Sequence, residues 1–392
     1  LPKAPSSYNP LRHPKRARWR RDVILERMYN AGFITKIQLE EAINTDLSLN
    51  PTRMKSGEEA PHFSEHVRRQ ILESYGDEQL YNGGLSVITT LDAQVQIWAD
   101  QAVYRGVRAY DHRHGYRGPL GKTNLIIGWK DRLEEETKKW QHKNMIGVPA
   151  LVNEVDEEMN LARIVMHDGE EGVLPLKGVK WAKKYIDVDT QGPAPKDVSE
   201  VVSEGDIILV TPLANVAVID EIQITDAEKE AGKLYSLEQI PEVQGALVAI
   251  ENATGAVRAM VGGIGDGTGF NRAVQAMRQI GSSYKPIVYA HALERGFTPA
   301  SLILDAPVVL QTGEMDEKWK PHNYSEKIYG PSTLRRGLEK SRNLMTIRLA
   351  RELGMRSIVN HTRKFGITAD MQYDLSTALG SSSVNLMEMT TA

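Results

Sequence analysis

The chain contains no cysteine, which excludes disulfide scaffolds, thiolate metal sites and cysteine nucleophiles at once, so any catalysis must use other groups. That absence does not choose a compartment, because a thiol-free chain tolerates an oxidising periplasm and a reducing cytosol alike. No run of about 18 apolar residues occurs, so the sequence offers no candidate membrane-spanning helix. Neither charge is in excess: 48 Lys and Arg against 51 Asp and Glu give a formal net charge of −3, and no global field exists to hold nucleic acid or an anionic membrane. The chain begins Leu1-Pro2-Lys3, where a start methionine or signal peptide would stand, and the expectation is a fragment of a longer protein.

What is present is 392 residues, 41% hydrophobic and 25% charged, proportions of a folded chain too long for a single compact core. Residues 1–45 carry a proline-rich entry, a basic run (Arg12, Lys15, Arg16, Arg18, Arg20, Arg21) expected to be a solvated helix face, and a helix through Val23, Ile24 and Met28 that Gly32 stops. Thr35 is the expected N-cap of a second helix with Ile37, Leu39 and Ile43 on its buried side. Residues 46–62 are polar, with two prolines, and look like a linker. A helix over 63–75, a strand over 85–91 and a helix capped by Asp92 running to Tyr110 follow.

Between 120 and 240 the pattern changes to short alternating runs, VPALVNEV, ARIVMH, GVLPL and GDIILVTP, separated by turn residues; this predicts a small β barrel or sandwich. It lacks a basic stripe with interleaved aromatics, so a structural or protein-contact role is favoured over nucleic acid. From Gln244 two apolar strands meet at Asn252-Ala253-Thr254-Gly255, a hairpin turn. Helical patterns then dominate, at 283–295, 332–353, 355–366 and 383–391.

Ser282-Ser283-Tyr284-Lys285 has the S-x-x-K form, and on a helix the i, i+3 spacing sets the Ser282 hydroxyl and the Lys285 amine on one face. A serine needs an adjacent base to become nucleophilic, and a lysine whose pKa burial depresses can be that base. Pro286 is tolerated only in a first helical turn, which puts Ser282 at a helix N-terminus, and Gly281 allows a tight entry. The alternative is that Ser282 is an N-cap and Lys285 a solvated first-turn residue. A companion S-x-N occurs at Ser341-Arg342-Asn343 between two helical runs, where Ser341 can relay a proton and the Asn343 amide can bind a peptide carbonyl, or where the triplet merely caps a helix junction. The same letters at Ser7-Tyr8-Asn9, Ser48-Leu49-Asn50 and Ser383-Val384-Asn385 lack that placement.

The segments LPKAPSSYNP with ITKIQLEEA, GGLSVITTLD, ATGAVRAMVGG, FNRAVQAMRQIGSSYKP, WKPHNYSEKIYGPSTLRRGLEKSRN and STALGSSSVNLMEMTTA together resemble the class A high-molecular-mass penicillin-binding proteins of the subgroup with an inserted OB-like domain. The resemblance implies a multidomain α+β chain: the helical tail of a glycosyltransferase domain over 1–45, a linker and the start of the transpeptidase domain over 46–119, an OB-like β domain over 120–240, and a serine β-lactamase/transpeptidase-like domain over 241–392. It implies that Ser282 is the acylated nucleophile and Lys285 its base, with Ser341 catalytic and Asn343 substrate-binding in the second motif. It implies no cofactor and no metal, and no nucleic-acid partner. The implied partners are peptidoglycan stem peptides, β-lactam antibiotics and cell-wall regulatory proteins at the OB-like domain. The implied location is the periplasmic face of the bacterial inner membrane, with an anchor upstream. The third motif, Lys-Thr-Gly or Lys-Ser-Gly, is expected beyond the closing helix, leaving the domain incomplete, and Lys55-Ser56-Gly57 in the polar linker is taken as a coincidence of letters. Two rival readings remain: a non-catalytic peptidoglycan-binding or β-lactam-sensing module, and a chain whose working part is the 120–240 domain.

Overall fold

The structure, a computed structural model, describes residues 13–45, 60–140, 147–217, 233–265, 269–308 and 318–392, with Tyr8, Pro10, Leu310 and Gln311. Lys55-Ser56-Gly57 lies outside these residues, as do Ser7, Asn9 and Ser48-Leu49-Asn50. Two compact units, residues 1–56 and 57–392, divide the chain.

In the first unit, α1 (Pro14–Asn30) opens on a proline whose missing N–H costs nothing at that position, and it ends just before Gly32, at φ +76°. Thr35 caps α2 (Lys36–Asn44) in a reciprocal box: Gln38 N donates to Thr35 Oγ1 at 3.3 Å and Thr35 N donates to Gln38 Oε1 at 2.9 Å. Arg21 donates to Thr45 O and Ile43 O at 2.6 and 3.0 Å, satisfying carbonyls that the end of α2 leaves open. The expected buried side of α2 needs correction: Leu39 and Ile43 are half-buried, but Ile37 is 70% exposed. Positions 37 and 39 differ by about 200° around a helix and cannot share a face.

In the second unit, α3 (Pro61–Asn82) is longer than the expected 63–75, but Gly76 at φ +78°, ψ 171° breaks it where the expected helix ends. The strand expected over 85–91 does not form. Residues 84–91 touch the chain at Val257 and Arg258 only at one end, where Thr90 Oγ1 donates to Val257 O (2.8 Å) and Arg258 Nη1 donates to Thr90 O (3.2 Å), while Ile88 is 96% exposed. β-branched alternation suits a pleated surface, yet no described strand offers these residues a ladder. Asp92 caps α4 (Ala93–Arg113), accepting from Gln94 N and Val95 N, both at 3.0 Å.

The β region forms a barrel from β1 (Gly121–Lys122), α5 (Trp129–Trp140), β2 (Val148–Asp156), β3 (Leu161–Met166), β4 (Glu171–Pro175), α6 (Leu176–Val179), β5 (Asp206–Pro212), α7 (Leu213–Ala217) and β6 (Tyr235–Glu238). The order is β1-β5-β2-β3-β4, and β6 also pairs with β5, along Leu209–Pro212 beyond the short β1 pairing at Asp206–Ile207. A parallel bridge between Val173 and Leu234 joins β4 to the chain entering β6, so the sheet closes on itself. Ala150, Val152, Ile164, Ile208 and Leu237 fill the interior. Leu151 and Ile207 point the other way and are equally buried, because Leu133 of α5 covers them. That cover is why β2 reads as a continuous apolar run instead of an alternating one.

Beyond the barrel, β7 (Leu247–Ile250) and β8 (Val257–Val261) form the expected hairpin, closed by Gly255 N donating to Glu251 O at 2.8 Å with Gly255 at φ +74°. α4 packs on one face through Ala99, Val103 and Val107; Phe63 of α3 lies on the other. Then come β9 (Arg278–Gln279), α8 (Lys285–Glu294), β10 (Leu302–Asp305), β11 (Leu310–Gln311), β12 (Lys318–Trp319), β13 (Gly330–Thr333), α9 (Leu334–Glu339), α10 (Asn343–Leu353), α11 (Met355–Thr362), β14 (Ser383–Val384) and α12 (Leu386–Thr391). α8 is the axis of this region: Ile287, Val288, Tyr289 and Ala292 are buried among Leu349 and Ala350 of α10 and Ile358 and Val359 of α11. A helix buried almost all round is held rigidly by its neighbours.

Candidate active site

The S-x-x-K segment enters α8 through a 3-10 turn, Gly281–Tyr284, and Pro286 sits in the first turn of the α-helix that follows. Gly281 adopts φ +53°, a left-handed conformation that a glycine accepts without steric cost. A second strand seats this turn. β9 pairs antiparallel with β14, Ile280 N donates to Ser382 O at 3.3 Å, and Gly281 N donates to Gly380 O at 2.9 Å. Gly380, at φ +81°, lies so close that a Cβ there would run into the backbone of Gly281.

The turn leaves Ser282 exposed and Lys285 1% exposed. Both halves of the cap reading fail on this geometry, since no side chain caps either the turn or the helix and Lys285 is not solvated. The Ser282 hydroxyl has no hydrogen-bond partner among the described residues, and neither has its backbone N–H.

Lys285 Nζ donates to Ser341 O (2.6 Å), Ser341 Oγ (3.0 Å) and Asn343 Oδ1 (2.7 Å). The structure thus brings three of the four expected residues into direct contact, with Ser282 one turn away on the exposed side. Three acceptors favour the ammonium form, but burial opposes it and prevails, holding the Lys285 pKa down to about 8. Ser341 owes its position to strain: at φ +50° it is one of three described non-glycine residues with positive φ, and that twist turns its carbonyl and hydroxyl toward one amine. Asn343 Nδ2 donates to His322 O at 3.0 Å, so its amide is fixed at both ends and only the second amide proton is left for a ligand.

Behind the S-x-N loop stands a network that motif reasoning did not single out. Asp305 is fully buried at the end of β10; its Oδ1 accepts from Asn323 Nδ2 at 2.8 Å, and its Oδ2 lies 3.5 Å from Arg342 Nη1. Arg342, the middle residue of the motif, also donates to Ser332 Oγ (2.7 Å) and stacks 4.0 Å over the Tyr329 ring. Asn323 Oδ1 in turn accepts from Leu344 N at 3.3 Å. The only sequence signal for this network was the string WKPHNY; no spacing rule marks Asp305.

The Ser383-Val384-Asn385 triplet has a structural use, since its first two residues form β14 behind the Gly281–Tyr284 turn and Asn385 Oδ1 caps α12 by accepting from Glu388 N at 2.8 Å. A groove of about 720 Å³ runs beside β9 and β14, lined among others by Gln244, Arg278, Ser283 and Leu386. Lys285, Ser341 and Asn343 are not among its walls.

The family description "Penicillin-binding protein OB-like domain" matches residues 116–243, and "Penicillin binding protein transpeptidase domain" matches residues 245–388. Penicillin-binding protein 1A of Pseudomonas aeruginosa is 36% identical over 392 residues, covering 99% of this chain and 45% of that protein. Its Escherichia coli namesake is 35% identical over 393 residues, covering 99% and 44%. The crystal structure of penicillin-binding protein 1A from Haemophilus influenzae superposes with a TM-score of 0.77 at 31% identity, over 99% of this chain and 53% of that one. The chain therefore spans about half the length of the relatives it matches, and it belongs to the class A penicillin-binding proteins.

Proposed function

We propose that residues 245–388 carry a serine D,D-transpeptidase site that cross-links peptidoglycan stem peptides through an acyl-serine ester and is acylated there by β-lactams. One observation carries the reading: a fully buried lysine, its pKa lowered by burial, sits one turn from an exposed serine and touches both polar residues of the second motif. As Ser282 Oγ attacks the penultimate D-Ala carbonyl, its proton passes to Lys285 Nζ. The tetrahedral oxyanion forms against the free backbone N–H of Ser282. Collapse breaks the peptide bond, and the leaving D-Ala nitrogen takes a proton from Lys285 through Ser341 Oγ. An acceptor amine of a second strand then attacks the ester and passes a proton to Lys285; collapse breaks the ester bond, and Lys285 returns that proton to Ser282 Oγ, restoring the serine. The fixed Asn343 amide presents its remaining proton to the substrate backbone.

Residues 1–45 are assigned to the end of a glycosyltransferase domain, 46–119 to a linker and the start of the transpeptidase domain, 120–240 to a barrel that meets regulatory partners, and 241–392 to the transpeptidase domain. The whole protein would also polymerise glycan strands and work at the periplasmic face of the inner membrane; among the described residues no helix is long and apolar enough to cross a membrane. The transpeptidase-domain match weighs against a non-catalytic sensor. Labelled penicillin given to the full-length protein should attach at Ser282 on peptide mapping. Covalent label retained by Ser282→Ala overturns the assignment, and a permanent ester with no acceptor exchange would mark a sensor.

A further inference from the structure

At the far end of the nucleophile helix, His291 and Glu294 share a face of α8 at i, i+3 spacing and meet His361 from α11. One ligand atom from each lies within 4.8 Å of the others. Both histidines are 4% exposed, and their rings pack at 4.6 Å between centroids. His361 Nδ1 is 3.2 Å from Glu294 Oε2, yet neither ring nitrogen of His361, nor Nδ1 of His291, has a hydrogen bond of acceptable direction. Three unsatisfied nitrogens in one buried cluster are costly and rare. Apolar contact does not relieve them, since Phe365 only lies edge-on to His361 at 5.2 Å.

We propose that His291, Glu294 and His361 bind a divalent transition-metal ion, zinc by its ligand chemistry, tying the C-terminal end of the nucleophile helix to α11. Two imidazoles and one carboxylate are a zinc donor set. His291 Nε2 lies 2.8 Å from Ser357 Oγ, so with Nε2–H donated there the Nδ1 lone pair faces the cluster, the outer-shell bond that orients a ligating histidine. Glu294, half-exposed, gives the ion its entry path and is free to swing inward, closing the ligands to the roughly 2.1 Å bonds zinc makes. Two cations stand nearby. Arg295 is engaged with Ser357 Oγ at 2.9 Å. Lys364 Nζ is 3.5 Å from Glu294 Oε2, on a side chain 67% exposed, and it competes with the ion for that carboxylate. The fourth coordination position is left to water, and none of the three ligands touches Ser282, Lys285, Ser341 or Asn343.

The test is titration of the metal-stripped chain with zinc by calorimetry, repeated with cobalt(II) followed by visible absorption. The expected result is one ion per chain, a four-coordinate cobalt spectrum and a Tm raised by zinc. Affinity should fall more than about tenfold in Glu294→Gln, an exposed change that leaves the core packed, and in His361→Gln if that variant folds. Lys364→Met should bind zinc more tightly than the unaltered chain, an effect that a purely structural His–Glu cluster would not produce. Failure of the unaltered chain to bind stoichiometrically overturns the proposal, as does binding that Glu294→Gln leaves unchanged.

Discussion

Lys285 Nζ lies 2.6 Å from the carbonyl oxygen of Ser341 and 3.0 Å from its hydroxyl, across 56 residues of sequence. The contact holds two motifs together but by itself favours the ammonium; it is burial that makes this lysine lose its proton far more easily than one in water.

The first prediction concerns pH. Burial lowers Lys285 from 10.5 to about 8, and in the proposed mechanism the amine is the form that accepts a proton from Ser282. Acylation by a slow β-lactam should therefore rise close to tenfold per pH unit, in the range where the ammonium dominates, and level off above about 8. Stability follows the same group with a definite sign. The folded pKa is depressed below the unfolded one, so the unfolded chain holds more protons between the two, and stability increases as pH rises through that window. Lys285→Arg should keep the fold and lose acylation, because a guanidinium stays protonated. A flat rate profile, or near-normal acylation in the Arg variant, would make Lys285 structural.

The second prediction separates the two jobs of Ser341. Ser341→Ala and Ser341→Gly both remove the hydroxyl, and each should slow acylation by about 10² to 10³. They should differ in stability. At φ +50° an alanine keeps the left-handed penalty that a glycine does not feel, so the Gly variant should be more stable than the Ala variant by about 1 kcal/mol. Equal melting temperatures would show that the loop carries no strain.

Both motifs were legible because their chemistry requires fixed residue types at fixed spacing, and Pro286 placed Ser282 at a helix start. The barrel strands were legible from short apolar runs between turn residues. Long-range pairing was not legible. Nothing local says that Gly380 must meet Gly281, that Asp305 stands behind Arg342, or that residues 85–91 lack a ladder partner; each depends on which distant segment folds alongside. Ile37 misled for a local reason, since an apolar residue two places from Leu39 cannot share its helix face.

The third prediction tests the support behind the S-x-N loop. Asp305→Ala removes the carboxylate facing Arg342 and takes one of the two acceptors of Asn323 Nδ2, leaving Lys327 O. Leaving a buried charge uncompensated costs about 3 to 5 kcal/mol; the Tyr329 ring and Ser332 Oγ still hold Arg342, so the lower end applies. Urea unfolding should show a loss of about 3 kcal/mol, and acylation should fall because Leu344 N and the start of α10 lose their anchor in Asn323. Asp305→Asn, which keeps the shape, should lose less of both. Equal stability of Asp305→Ala and the parent would place the network outside the fold's support.

The fourth prediction concerns the seat of the turn that carries Ser282, the proposed nucleophile. Gly380 combines a left-handed backbone at φ +81° with direct contact against Gly281, whose N–H it receives at 2.9 Å. Gly380→Ala adds a Cβ where the Gly281 backbone already stands, and neither partner has a side chain to move aside. The left-handed penalty is about 1 kcal/mol and overpacking adds about 1 to 3 kcal/mol. The turn and β14 must then separate, which breaks the Gly281 and Ile280 bonds to the 380–382 segment and frees Ser282 to drift from its place above Lys285. Acylation should therefore fall more steeply than stability, because a displacement of about 1 Å at a nucleophile costs on the order of 10² in rate. Hydrogen exchange at the Gly281 amide reads the seat directly, and protection there should be lost in the variant. A Gly380→Ala protein that exchanged and acylated at the parent rate would show that the turn is held by α8 alone.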